Sequence, residues 1–558
     1  MNVEEVQRRL WEQSKAHKEN REASLPLIPT NTYECRIRNL FDLIHQPDWL
    51  REAAQRVLRR SKGKAPGIDN VTVSDFRKRE SENIENLRQE LKKRTYRPQP
   101  LRRVEIPKAN GKMRQLGIPC LRDKIVQEAV RMALEPIFEV EFHEHSFGFR
   151  PHRSAHHAVL RCRMVMMHKF SWVIEGDVKA CFDEISHKAI LGSVREKVMD
   201  NKFLDLLQLF LKSGVMIDDK IQPTVKGVPQ GGIVSPLLAN IVLNKLDWFL
   251  QGMAKYGKYE QRARVHKEPN LRFARYADDW CVFLTRADKR YAESLKEKIR
   301  EFLLAECGLE LSVEKTRITH LRDGFDFLGF RLIQGIGQSG KLVPKIKVGK
   351  DAIKDIRLRL NEAARFRPAQ ESIDTRVQNV SSIIRGWSNY FRLAHNFSNI
   401  AGKLNSISHW IMVKAISRKN DISSKKVHSR FYFNGRIGVT AKRTMVRFAD
   451  TKMLRDYSGP MKYELGRALY LEDQEWEADL RVPDKGRPGQ MDMKQIALVR
   501  DGYKCCICGS LVVSECSELD HIIPVHKFAN YKQANTLDNV QTLCLYCHKQ
   551  KTCSENKV

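Results

Sequence analysis

No run of eighteen apolar residues occurs in the 558-residue chain, which excludes an apolar helix long enough to cross a bilayer. The first residues, MNVEEVQRRLWEQ, mix acids and bases where a signal peptide needs an apolar core, so the expectation is a soluble intracellular protein. Acids are in deficit: 67 Asp plus Glu stand against 98 Lys plus Arg, a net charge of +31. A cationic surface of that size suits a polyanionic partner, with anionic lipid or simple solubility as the plainer readings. Cysteine is scarce until the end of the chain. Six cysteines lie singly between Cys35 and Cys307 and read as small buried thiols, whereas seven crowd into residues 505–553. In a reducing compartment such a cluster points to metal rather than disulfides. Internal repeats are absent. Length and a 42% apolar content allow several cored domains, and RVPDKGRPGQ (481–490), rich in Pro, Gly and charge, is the natural linker before the cysteine-dense end.

Against this background the stretch LRFARYADDWCVFL (271–284) stands out, because Asp278 and Asp279 interrupt an apolar segment. Buried ionised carboxylates need a partner, a metal or solvent. RFARY and WCVFL read as two short strands joined across Ala-Asp-Asp, a tight hairpin that lifts at least one carboxylate to its tip. About a hundred residues earlier, in WVIEGDVKACFDEISH, the strand WVI runs into Asp177, and Phe182 and Asp183 follow at the start of a helix. Strand-end acids brought together bind hard cations such as Mg2+, and two such ions roughly 3.5 to 4 Å apart support nucleotidyl transfer. The plainer alternative is that Asp177 caps a helix and the pair occupies a turn.

Three further stretches carry local signals. In GVPQGGIVSPLLANI (227–241), Gln230, Gly231 and Gly232 precede a helix-like run with Ser235 as its cap and Pro236 at its first position; small residues there allow backbone to lie close to a base pair. In LRRVEIPKANGKMRQLGIP (101–119), Asn110-Gly111 marks a hairpin flanked by Lys108, Lys112 and Arg114, cations suited to phosphate or to plain solvation. In HSFGFRPHRSAHHAV (145–159), Arg150 and Arg153 interleave with Phe147 and Phe149, either as a nucleic-acid track or as packed Phe under Arg stems. The MVMMH run (164–168) reads as core. Residues 345–480 carry helical periodicity, and an amphipathic helix explains Trp387, Tyr390 and Phe391 of IIRGWSNYFRLA. The acidic LEDQEWEADL (471–480) reads as peripheral. At the end, Cys505 with Cys508 and Cys544 with Cys547 form two CxxC pairs suited to tetrahedral Zn2+. Asp520-His521, Asn539 and His548 accompany them, a set that a zinc ribbon serving only to bind nucleic acid would not need.

The Tyr-Ala-Asp-Asp box (276–279), DVKACFD (177–183) and GVPQGGIVSPLLANI resemble, in order and spacing, the reverse transcriptases encoded by mobile group II introns. GKAPGIDNVTV (63–73), the 101–119 and 145–159 stretches, LSVEKT (311–316) and FDFLGF (325–330) extend the resemblance over residues 40–330; GWSNYFR resembles the maturase region that follows, and the cysteine-dense end resembles an HNH nuclease. The resemblance implies an α+β multidomain protein. An N-terminal extension and start of the fingers (1–60) would lead into a right-hand polymerase of fingers and palm with an antiparallel sheet (61–340). An α-helical thumb, maturase and DNA-binding region (341–480) would follow, then the linker (481–490) and a small zinc-containing ββα-metal HNH domain (491–558).

It also implies roles. Asp177 and Asp278 would hold Mg2+ with Asp279 in support, Lys108 and Arg114 would contact the incoming dNTP, and Phe182 would exclude a ribose 2'-hydroxyl. Gln230, Gly231 and Lys315 would belong to the substrate site. His521 would act as general base, Asn539 would orient it, Asp520 and His548 would hold one Mg2+, and the four cysteines would hold structural Zn2+. Implied partners are the intron RNA in a ribonucleoprotein, a DNA target and dNTPs, with no membrane, in a bacterial cytoplasm or an organelle. A splicing-only maturase and a reverse transcriptase of retron or CRISPR-linked lineage are the rival readings.

Overall fold

The computed structural model describes residues 1–23, 37–454 and 490–551, apart from positions 62, 64, 108–112, 218–219, 223, 230, 313, 338–339, 341, 367–369, 503, 510–511, 513–516, 525–527, 529–530, 535, 545–546 and 549–550. The linker and acidic run expected at 471–490 fall outside these residues, except for position 490 at the start of a helix. The described residues form a mixed α/β chain in two compact units, one built from those within Met1–Ser154, Ile174–Ile318 and Glu464–Asp492 and the other from those within Ala155–Val173, Thr319–Tyr463 and Met493–Val558.

In the first unit, β1 (Leu101–Pro107) and β2 (Met113–Ile118) pair antiparallel from Arg102↔Ile118 to Pro107↔Met113, as two alternating runs around Asn-Gly predict. Strand β3 (Trp172–Asp177) belongs to another sheet. Residues Val215–Ile217 (β4) pair parallel with β1, and Lys220–Gln222 (β5) closes that sheet. The apolar segment around the paired acids forms β6 (Asn270–Tyr276) and β7 (Asp279–Thr285), with Tyr276 opposite Asp279, and β3 lies next to β7. Six consecutive residues of each strand are buried, because helices cover the sheet on faces that alternation alone would leave wet. One of these helices is Ser235–Met253, whose N-cap is Val234 with no side-chain cap; Ser235 is the first helical residue, so the expected Ser235 cap is corrected, while Pro sits in the first turn as expected. The helix Leu121–Glu139 is buried over most of its length, and Trp49 donates its indole N–H to the Ala129 carbonyl at 3.0 Å.

The second unit collects helices Ala155–Met166, Lys350–Ala364, Ile373–Phe391, Phe397–Asn420 and Ser424–Phe431 around the hairpin Phe330–Ile336/Leu342–Val348. Met164, Val165 and Met166 are buried core, as read from sequence. Trp387 and Phe391 of GWSNYFR are core as well, 4.6 Å apart, and the half-buried Tyr390 stacks on Phe330 at 5.3 Å. Near the end of the chain, Ser517–His521 pairs antiparallel with Val540–Cys544.

Candidate active sites

The hairpin between β6 and β7 has a two-residue loop, Ala277-Asp278, so Asp278 occupies the tip and Asp279 begins β7. Ala277 is held at φ 57°, a left-handed conformation that is unfavourable for alanine. What holds it there is buried charge. The Arg275 guanidinium, 1% exposed, donates to the Ala277 carbonyl (2.9 Å), to the Asn240 side-chain oxygen (2.9 Å) and bidentately to Asp247 (2.8 and 2.6 Å). Asn240 in turn donates to the Gly148 carbonyl at 2.7 Å. At Gly148 a Cβ would lie 2.3 Å from the Ala277 amide nitrogen, so only glycine lets these two backbones approach. Sequence reasoning did not identify this network. Its visible signal is an arginine inside one buried strand and an aspartate inside one apolar helix, two charges that need each other.

Asp177 ends β3 beside this hairpin. The Asp279 carboxyl is pushed up to about 7, first by burial, then by the charges of Asp278 and Asp177, with a hydrogen bond to Asp177 adding to the rise and Lys315 opposing it. The three acids therefore share one electrostatic environment. Lys315 donates to Asp177 at 2.8 Å, and this hydrogen bond raises the lysine's own pKa. The Ser312 amide donates to the Asp177 carbonyl at 2.9 Å, which fixes LSVEKT against the end of β3. Gly176 precedes Asp177, and a Cβ there would lie 2.0 Å from the Trp280 ring, which is 1% exposed and follows Asp279. One tight contact thus sets the depth of both acids. Gly176→Ala is expected to lower stability by roughly 1–3 kcal/mol, the usual cost of overpacking. Trp280→Leu should restore part of that loss, read as a positive coupling between the two positions in thermal unfolding.

The loop that begins GVP passes close to the segment that follows Asp177. The Val228 amide donates to the Phe182 carbonyl at 2.6 Å, and the Gly227 amide donates to the Ile185 carbonyl at 2.8 Å. Gly231 has φ 119°, and a Cβ on it would lie 2.4 Å from the Gly117 carbonyl oxygen in β2. Phe182, in the short helix Cys181–Glu184, meets the exposed Phe149 ring edge-on at 6.3 Å, and Phe149 lies 6.5 Å from the Tyr276 ring. The structure therefore gathers Asp177, Asp278, Asp279 and Lys315, whereas Phe182 follows Asp177 on the short helix and Gly231 lies against Gly117 of β2. Lys108 and Gln230 lie outside the described residues, and of Arg114 only the backbone, in β2, is described. Arg150 is buried and pairs with Glu139 at 2.6 Å while donating to the His143 and Ser146 carbonyls, so it braces the loop instead of lining a nucleic-acid track.

The cysteine-dense end builds a second centre. The sulfurs of Cys505, Cys508, Cys544 and Cys547 all lie within 4.8 Å of one another, the one such group of three or more metal-ligand side chains among the described residues. Burial pushes the Cys547 and Cys544 thiols up; neighbouring cysteines add to the rise at Cys547, whereas hydrogen bonds from Cys547 oppose it at Cys544. A cation that takes thiolates fits four converging sulfurs. Beyond the cluster, the Asn539 side chain donates to the Ala534 and Ile523 carbonyls (2.8 and 3.1 Å) and accepts from the Ile523 amide (2.9 Å). It thereby pins the chain just after His521, whose backbone pairs with Val540. His548 approaches Asp520 to 3.8 Å, while Gln541 (2.9 Å) and Lys551 (2.5 Å) also hold that carboxylate. A carboxylate and an imidazole facing each other at this distance can share a divalent cation.

Comparison with known proteins agrees with this division. Residues 106–332 match the family model for reverse transcriptase (RNA-dependent DNA polymerase), residues 353–433 the group II intron maturase-specific domain, and residues 505–553 the HNH endonuclease family. The chain is 40% identical over 328 residues to protein YkfC of Escherichia coli strain K12, covering 55% of this chain and 86% of that protein. It is 32% identical over 466 residues to the group II intron-encoded protein LtrA of Lactococcus lactis, covering 70% of this chain and 76% of LtrA. A nuclear intron maturase 2, mitochondrial, of Arabidopsis thaliana is 25% identical over 41% of each chain. No helix among the described residues is long and apolar enough to cross a membrane.

Proposed function

Because the chain belongs to the group II intron-encoded proteins, with reverse transcriptase, maturase and HNH endonuclease regions in one polypeptide, we propose that Asp177, Asp278 and Asp279 form its nucleotidyl-transfer centre and His521 its nuclease base. The observation that carries the first assignment is the placement of Asp177 at the end of β3 beside the hairpin that bears Asp278 and Asp279, where burial first, and then the charges of Asp278 and Asp177, push the Asp279 carboxyl up to about 7. Mg2+ bound there would supply charge neutralisation for an attacking 3'-hydroxyl and a departing pyrophosphate. Asp177 and Asp278 are its ligands in this reading, and Asp279 supports them from the start of β7. Phe182 and Gly231 bound the nucleotide pocket, Lys315 holds Asp177, and Lys108, Arg114 and Gln230 complete the set from the fingers and the GVPQGG loop. The right-hand arrangement of fingers and palm over 61–340, a thumb and maturase over 341–480 and the HNH domain over 491–558 belongs to the same proposal.

In the nuclease, Asp520 and His548 would hold a divalent ion beside the scissile phosphate, with Asn539 fixing the segment that follows His521 and Zn2+ stapling the four cysteines. The protein binds its intron RNA and assists splicing. The HNH domain then cuts the second strand of a DNA target, and the polymerase extends the exposed 3'-end on the inserted intron. A primer-extension assay on an RNA template with Mg2+ tests the polymerase assignment, and absence of extension by the wild type would end it.

Metal removal tests the cysteine site separately. Chelator treatment, or Cys508→Ser, should release about one Zn2+ per chain and melt the hairpin Ser517–His521/Val540–Cys544, because small metal sites supply folding free energy directly. The rest of the chain should keep its unfolding transition. Elemental analysis with circular dichroism reads both, and a metal-free hairpin that stays folded would count against a structural ion.

A further inference from the structure

A groove of about 1170 Å³ runs between the helices Lys350–Ala364 and Phe397–Asn420, wholly within the second unit. Its lining holds five Lys and Arg side chains and no carboxylate. Three of them, Arg357, Lys414 and Arg418, have no ion pair among the described residues. The other two are engaged: Arg365 pairs with Glu362 at 2.9 Å, and Lys419 lies 4.4 Å over the Phe366 ring. Away from the groove on helix Lys350–Ala364, Arg359 pairs with Asp355 at 3.7 Å.

The same groove exposes apolar surface. Trp410 is 51% exposed and Leu358 64%. Trp410, Lys414 and Arg418 recur every four residues and therefore project from one side of their helix. The indole is not loose, because His409 and His428 meet it edge-on with ring centres at 5.3 and 5.9 Å. An aromatic face braced from behind and ringed by unpaired cations is the chemistry that receives an unpaired base with its flanking phosphates; a duplex hides its base faces and would leave the indole without a partner.

We infer that this groove takes an unpaired segment of RNA, with a base stacked on Trp410 and phosphates on Arg357, Lys414 and Arg418. The inference rests on the proposal that the protein binds its intron RNA, and it deepens that proposal by naming a site and a strand state.

The test uses the full chain with a short single-stranded RNA carrying 4-thiouridine, and with an RNA duplex of the same length. Irradiation should crosslink the single strand within Phe397–Asn420, and Trp410→Ala should weaken single-strand binding roughly 5- to 100-fold, from the value of one stacked base. Trp410→Phe should stay near wild type. Lys414→Ala with Arg418→Ala should flatten the salt dependence of log affinity by about 1.4, two phosphate contacts at the single-strand slope. A crosslink confined to other segments overturns the proposal, as does unchanged single-strand affinity in Trp410→Ala at an unchanged unfolding temperature. Equal weakening of duplex and single strand overturns the strand state. Failure of the wild-type chain to bind its intron RNA would instead fail the underlying reading, and would be seen before any variant is made.

Discussion

Asp278→Ala is expected to reduce single-nucleotide incorporation on an RNA template by roughly a thousandfold or more, since several kcal/mol of transition-state charge stabilisation pass through a metal ligand. The fold should survive, because Arg275 donates to the Ala277 carbonyl and holds the hairpin turn from below. Template-primer affinity should change little. Full extension by the variant would remove Asp278 from the centre.

The neighbouring acid gives a second, opposite readout. Asp279 ionises near 7 in the folded chain and near 3.8 when unfolded, so between those values the folded protein keeps a proton that the unfolded chain has lost. For this group, metal-free stability is therefore fully retained below pH 3.8, falls as pH rises toward 7, and stays lower above. Asp279→Asn should raise metal-free stability at neutral pH, by at most about 4 kcal/mol, and abolish its dependence on this group. Mg2+ should stabilise the wild type more at pH 8 than at pH 6, because the ion competes with a proton. A variant more stable yet less active is the signature of an acid kept for chemistry.

His521→Ala is expected to lower nicking of the second DNA strand by roughly 10²- to 10⁴-fold, the usual contribution of a general base. His521 joins the hairpin through backbone pairing to Val540, and its carbonyl accepts from Lys551. Zinc content and primer extension should be unchanged. Nicking at the wild-type rate would reassign the base, and Asp520→Ala would then separate loss of the ion from loss of the base. Polymerase and nuclease should fail independently, since Asp278→Ala should leave nicking intact.

Much of the polymerase site was legible because its elements are local. Alternating runs on either side of Asn-Gly and of Ala-Asp-Asp pair as hairpins, as expected, and the two CxxC pairs converge as their spacing suggests. The boundary at Asp279 was less clear, since strand and turn compete for an acid that is half in each; burial of Trp280 draws it into β7. The brace of Asp247, Asn240 and Arg275 was not legible from periodicity, because an Asp in an apolar helix and an Arg in an apolar strand declare a partnership only when the two elements pack. Arg150 illustrates the reverse case, a pattern that left two readings open. Basic and aromatic residues alternating along a loop carry the same pattern whether they face a ligand or, as here, clamp their own carbonyls.

The contact between Gly176 and Trp280 also constrains how such sequences can drift. A side chain larger than hydrogen at 176 has no room until the indole at 280 has been exchanged for something smaller, and that exchange alone leaves a void beside β3. Either single step is harmful, whereas the pair together is tolerable. Lineages descending from this protein should therefore change both positions in quick succession or neither, and a catalogue of natural variants ought to be nearly empty of the two intermediates.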